Sequence, residues 1–273
     1  MDKSEFLTAL GVRLRPRSQR PGPYNWLFFP GGPGIGSESL HELVDALAVP
    51  GTCWLVDLPA DGSNTDLPPA PGGHYQHWPQ VLLEAARALP DCVAVGHSTG
   101  GMYLLSVPEL APLLRGLVLV STAPDASWHP RYVAMTQQYP LAAMPEALRR
   151  FEQEPTNERL REVAVASAEW NFTPAGLEAG RDLLTRMPYN LAAVEWSDQF
   201  FDHLYAAKWW PQEIPTLIVS GGNDRIVDQS LWDAAPFQAS NVLHRTIPQA
   251  GHFPWIEQPA AVRAAFDELT ARL

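Results

Sequence analysis

The stretch Val93-Ala94-Val95-Gly96-His97-Ser98-Thr99-Gly100-Gly101 decides the fold. A short apolar run ends in G-x-S-x-G and passes into a helix-like run over 101–107. A serine on so tight a strand-to-helix turn projects its hydroxyl above the sheet edge. Crowded backbone there tolerates only small residues two positions either side, and Gly96 and Gly100 meet that need. The next helix starts near Thr99, so its free N–H groups point at the serine.

Outward from this turn, strand and helix signals alternate, which predicts a mainly parallel sheet covered on both faces. Further strands are expected at 26–29, 53–57, 117–120, 216–220 and 243–247. These runs are short and apolar, as fully buried parallel strands should be. Residues before Trp26 supply one or two antiparallel edge strands. Helical spacing is clear at 39–47, 77–89 and 260–273. The alternation fails between about 123 and 211, where helix-like segments (145–151, 157–169, 173–186) are punctuated by Pro and Gly. Five of the ten tryptophans lie there: Trp128, Trp170, Trp196, Trp209 and Trp210. The expected organisation is an α/β core, 1–122 and 212–273, with a helical cap inserted at 123–211.

A serine hydroxyl is a poor nucleophile at neutral pH and needs a base. His252 follows the last strand signal, in Ala250-Gly251-His252-Phe253, and the seven other histidines lack that placement. The imidazole needs a carboxylate to hold one tautomer and stabilise its charged form. Asp224, in Gly221-Gly222-Asn223-Asp224, sits just past the strand at 216–220. Asp228 and Asp125 are its rivals. The order Ser98, Asp224, His252 suits a strand-turn-helix serine. An oxyanion would need preset donors. Thr99 N–H supplies one, and the loop Pro30-Gly31-Gly32-Pro33-Gly34 after the first parallel strand supplies the other, from Gly31 or Gly32. The aromatic residues Trp128, Trp170, Trp196 and Phe253 are candidates for a substrate pocket.

The chain of 273 residues is 46% hydrophobic, enough for a full core. Its net charge of −11 disfavours a nucleic-acid partner. The glycine run at 31–36 lacks the Gly-Lys-Ser/Thr ending of a phosphate loop. No His/Asp/Glu cluster has metal-ligand spacing. The two cysteines, Cys53 and Cys92, lie in core-like runs and read as small buried hydrophobes. The basic run from Arg13 to Arg20 reads as a solvated strand or turn. No signal peptide and no apolar run of membrane-spanning length appear, so a cytoplasmic protein without a membrane partner is expected.

These motifs resemble the α/β-hydrolase superfamily. The resemblance rests on Pro30 to Gly34, Gly96 to Gly100, Gly222-Asn223-Asp224 and Gly251-His252-Phe253. It also rests on the turn Asp57-Leu58-Pro59-Ala60-Asp61-Gly62-Ser63, where Ala60 replaces a family glycine. It implies an eight-stranded sheet, a cap after the sixth strand, no cofactor and a small-molecule substrate. The G-G-P-G run is similar to that of proline iminopeptidases, with Pro30 in place of their His and Thr99 in place of a bulkier residue. An iminopeptidase would need acidic cap residues for a substrate ammonium, with Glu169, Glu195 and Asp198 as candidates. The expected activity is ester or amide hydrolysis through an acyl-serine on a small, partly apolar substrate. An aminopeptidase, a C–C bond hydrolase and a non-catalytic ligand-binding protein are the alternatives. The motifs do not fix the oligomeric state.

Overall fold

The structure is a computed structural model and describes residues 4–273. Eight strands form one sheet in the order β1-β2-β4-β3-β5-β6-β7-β8. They are β1 (Phe6–Leu7), β2 (Arg13–Arg20), β3 (Asn25–Phe29), β4 (Gly51–Asp57), β5 (Cys92–His97), β6 (Leu114–Val120), β7 (Thr216–Gly221) and β8 (Val242–Ile247). The first two are antiparallel edge strands, and the pairings from β3 and β4 through to β8 are parallel. Each expected strand is present, most of them longer by one to three residues.

Side chains alternate across this sheet with period two, and both faces are buried. Trp26, Phe28, Val93, Val95, Val118 and Val120 pack on one face, with α1 (His41–Ala46) and the C-terminal helix Pro259–Thr270. Leu27, Phe29, Ala94, Leu117 and Leu119 pack on the other, with α2 (Trp78–Arg87) and α3 (Thr99–Leu105). Cys53 and Cys92 are buried free thiols.

Between β6 and β7 the chain forms the helices α4 (Trp128–Gln138), α5 (Met144–Gln153), α6 (Asn157–Ala166), α7 (Ala168–Asn171), α8 (Leu177–Arg186) and α9 (Leu191–Phe200). After β8 come α10 (Pro254–Glu257) and α11 (Pro259–Thr270). Among the described residues no helix is long and apolar enough to cross a membrane.

The basic run departs from a merely solvated strand. Arg13 and Arg15 on β2 place their Nε atoms 2.8 and 2.7 Å from Asp57 Oδ2, and Arg15 also reaches Glu38 at 3.0 Å. The Asp57 side chain is 1% exposed, so charge pairing, not solvent, fixes these arginines.

Candidate active site

In open parallel sheets, functional loops gather at the carboxyl ends of the strands. Here four such ends converge: those of β3, β5, β7 and β8. Ser98 follows β5 directly and adopts φ 50°, ψ −124°. A non-glycine residue with positive φ costs on the order of 1–3 kcal/mol and persists only where its surroundings over-determine it. Here Ser98 N–H donates to Val120 O (2.9 Å), and Ser98 O accepts from Gly101 N (3.0 Å) and Met102 N (3.3 Å). A side chain at Gly100 would strike the carbonyls of Pro30 and Phe29, which is why the turn admits none.

The loop after β3 lies against this turn. A Cβ on Gly31 would come within 2.8 Å of Ser98 Cβ. Thr99 Oγ1 donates to Gly32 O at 2.9 Å, tying the two loops together. Thr99 is the first residue of α3, so its N–H has no acceptor within the helix. Gly31, Gly32 and Thr99 thus lie side by side around Ser98.

The other two loops bring the imidazole and carboxylate. His252 Nδ1 lies 3.0 Å from Asp224 Oδ2 and 3.1 Å from Oδ1. A carboxylate only accepts, so Nδ1 carries the hydrogen and Nε2 is left free to accept. The His252 and Asp224 side chains are 5% and 0% exposed. Asp224 is also held by Ile226 N–H (2.9 Å), Val227 N–H (3.1 Å) and Gln229 Nε2 (3.2 Å). The two loops join through backbone: Gly222 N–H donates to Ile247 O and Asn223 N–H to Ala250 O, each at 2.8 Å. The rivals are engaged elsewhere. Asp228 pairs with Arg131 at 2.6 Å, and Asp125 accepts Ser127 N–H.

His97 links the serine turn to the histidine loop. Its Nε2 lies 3.1 Å from His252 O, and the two rings are 4.9 Å apart. Burial, then the neighbouring His252, holds the His97 ring well below the usual imidazole range, so it is neutral.

The aromatic candidates separate into groups. Trp128 and Trp170 both contact Tyr132, with ring centroids 6.3 and 6.1 Å away. Tyr132 in turn lines a cleft of about 540 Å³ beside Asp224. Trp196 packs apart from them, against Tyr75 and Trp78. Phe253 is buried and stacks on Phe172 beneath the histidine loop.

Sequence reasoning missed several supports. Asn171 O, at the end of α7, accepts His252 N–H at 2.8 Å. Glu257 on α10 takes Gly251 N–H (2.6 Å) through Oε2 and Thr173 N–H (2.8 Å) through Oε1. Asn190 and Asp61 hold the glycine loop. None of these lies in a pattern of spacing, because each acts on backbone brought close only by the fold. Among the described residues no group of His, Cys, Asp and Glu has the arrangement of a metal site.

The chain is similar to known proteins over most of its length. The chain is 27% identical over 264 residues to the pimeloyl-[acyl-carrier protein] methyl ester esterase of Xylella fastidiosa (strain M23), covering 89% of this chain and 93% of that one. Its counterpart in Stenotrophomonas maltophilia (strain K279a) is 28% identical over 244 residues, covering 85% and 87%. Among solved structures, a proline iminopeptidase-related protein from Thermus thermophilus superposes with TM-score 0.72 at 20% identity, covering 100% and 99% of the chains. An esterase from Rhodococcus sp. ECU1013 gives 0.68 at 17%, covering all of both chains. The family model described as "Alpha/beta hydrolase family" matches residues 26–265, spanning the serine turn, the carboxylate loop and the histidine loop. By that match and by its sheet order, the chain belongs to the alpha/beta hydrolase family.

Proposed function

We propose that this chain is a serine ester hydrolase in which Ser98 is the nucleophile, His252 the base and Asp224 the carboxylate that orients it. The observation that carries the reading is the buried His252–Asp224 pair, whose loop is tied through His97 to the turn that holds Ser98 at positive φ. In this mechanism Ser98 Oγ attacks the ester carbonyl and its proton passes to His252 Nε2. Asp224 stabilises the imidazolium through Nδ1–H. The oxyanion accepts from Thr99 N–H and from the Gly31–Gly32 backbone. Each such donor contributes roughly 10²–10³ in turnover. His252 then protonates the departing alcohol. Water, deprotonated by the same ring, attacks the acyl-serine and releases the acid.

The segment 123–211 serves as the cap in this reading. Trp128, Trp170 and Trp196 supply its apolar walls, and Phe253 lies beneath the base. The substrate is a carboxylic ester with a small, partly apolar acyl part. Similarity to methyl ester esterases supports the ester over the amide. So do the acidic cap residues. Glu169 pairs with Arg181, and Asp198 lies beside His203, both largely exposed; Glu195 is exposed as well. None is buried to hold a substrate ammonium.

The test sets p-nitrophenyl esters beside a prolyl naphthylamide, with fluorophosphonate labelling of Ser98. Ester turnover that drops several powers of ten in Ser98→Ala, with labelling at Ser98, is the expected result. Wild-type activity in the alanine variant refutes it. Turnover of the prolyl amide alone favours the aminopeptidase, and no labelling favours a ligand-binding protein.

A further inference from the structure

Behind the glycine loop lies the turn that follows β4, and in it a carboxylate whose burial calls for a cause. Asp61 is 2% exposed. Its Oδ1 accepts Gly34 N–H at 2.7 Å and Gly62 N–H at 2.9 Å. Among the described residues no Lys or Arg pairs with it: Arg13 and Arg15 are spent on Asp57 and Glu38. Burying a carboxylate without a cation is expensive, and a bare turn can be made by Asn or Ser at less cost.

Gly34 is gripped from its other side too. Its carbonyl accepts Asn190 N–H at 2.8 Å, while Asn190 Nδ2 donates to Ala60 O at 2.7 Å. Both backbone groups of Gly34 are therefore held, one by Asp61 and one by the residue that opens α9. Gly34 lies three residues past Gly31, on the same short loop. We propose that Asp61 is a positioning residue, whose grip on the Gly34 amide sets the backbone donors of Gly31 and Gly32 against Ser98. This rests on the reading of those amides as the oxyanion site.

Burial raises the Asp61 carboxyl to about 7; Asp57 and Glu38 push the same way, and the two amide donors oppose. The hydroxyls of Tyr75, just before α2, and Tyr103, on α3, both feel its charge. The Gly34 amide should therefore report the ionisation of Asp61.

The experiment compares Asp61→Leu and Asp61→Asn with wild type. Leucine fills the space but accepts nothing, whereas an asparagine oxygen still takes both amides. In ester hydrolysis at pH 8, the leucine variant is expected to lose about 10- to 100-fold in kcat with KM within threefold. That is less than removal of a whole oxyanion donor, because Thr99 and Asn190 still hold the loop. The asparagine variant should keep kcat within about threefold. A folded leucine variant with wild-type kcat, or equal losses in both variants, overturns the proposal. If the leucine variant does not fold, the Gly34 amide NMR signal decides. It and the Gly31 signal should shift in a folded Asp61→Ala variant and stay near their wild-type positions in Asp61→Asn; unshifted signals in the alanine variant overturn the proposal. Wild type without ester turnover or Ser98 labelling removes the proposed function and this inference together. Wild type active and labelled, with unaffected Asp61 variants, removes only the inference.

Discussion

Replacing Asp61 by Asn should stabilise the protein, and by an amount that grows with pH. An unfolded aspartate titrates near 3.8, whereas burial moves the folded group to about 7. Between those values the folded chain holds a proton that the unfolded chain has lost. Stability therefore falls as pH rises through this window. The difference is about three decades in proton affinity, or on the order of 4 kcal/mol once pH 8 is reached. By the same linkage a minor part of that cost, on the order of 1–2 kcal/mol, is already present at pH 5. Asparagine does not titrate and keeps an oxygen for the Gly34 and Gly62 amides. The gap between variant and wild type should thus widen by about 2–3 kcal/mol from pH 5 to pH 8. Guanidinium unfolding of both proteins at the two pH values measures it, and other titrating groups cancel in the difference. A gap that stays constant within about 0.5 kcal/mol would show that Asp61 ionises in the fold as it does in water, and the reasoning would fail.

Two further predictions concern the histidine loop. Asp224→Asn should lower ester turnover by roughly 10⁴, since an amide no longer enforces the Nδ1–H tautomer. The fold should survive, because the amide oxygen still accepts Ile226 and Val227 N–H; turnover with a melting curve checks both points. Glu257→Ala should orphan the amides of Gly251 and Thr173, costing about 1–3 kcal/mol of stability. Turnover should fall about tenfold at most, far less than the 10⁴ expected for loss of the triad carboxylate. An unchanged melting temperature would show that Glu257 holds nothing.

The parallel strands were legible because burial on both faces leaves near-continuous apolar runs, as in Leu117 to Val120 and Thr216 to Val219. On the expected antiparallel strand β2, what the sequence hides is the pairing of its arginines. Arg13 and Arg15 look solvated until Asp57, 42 residues or more away, is brought beneath them. Helix α4 escaped notice because none of its side chains is fully buried, so no apolar stripe marks it. Helix α9 was missed as well; its start is fixed by the Asn190 side chain accepting Ala193 N–H. The elbow and its two partners carried local signatures, glycines beside chemistry-bearing residues at strand ends. Ala60 was seen only as a departure from a family glycine. The structure gives the physical content, since Ala60 sits at φ 61°, where glycine costs least.

The helical segment between β6 and β7 is bonded to the site at both flanks, and that limits how substrate enters. Asn171 O holds His252 N–H, and Thr173 is bridged to Gly251 through Glu257. Asn190 holds Gly34 and Ala60. Lifting α7 or the start of α9 as a rigid lid would pull on the imidazole loop and the glycine loop together. It would undo the alignment that turnover needs. Helix α4 is tied more lightly: none of its side chains is fully buried, and its link to the carboxylate loop is the half-exposed Arg131–Asp228 pair at 2.6 Å. Local opening is drawn from elements with few buried contacts. On the proposed reading, α7 and the start of α9 therefore belong to the frame that holds the catalytic loops, and opening falls to less buried segments such as α4.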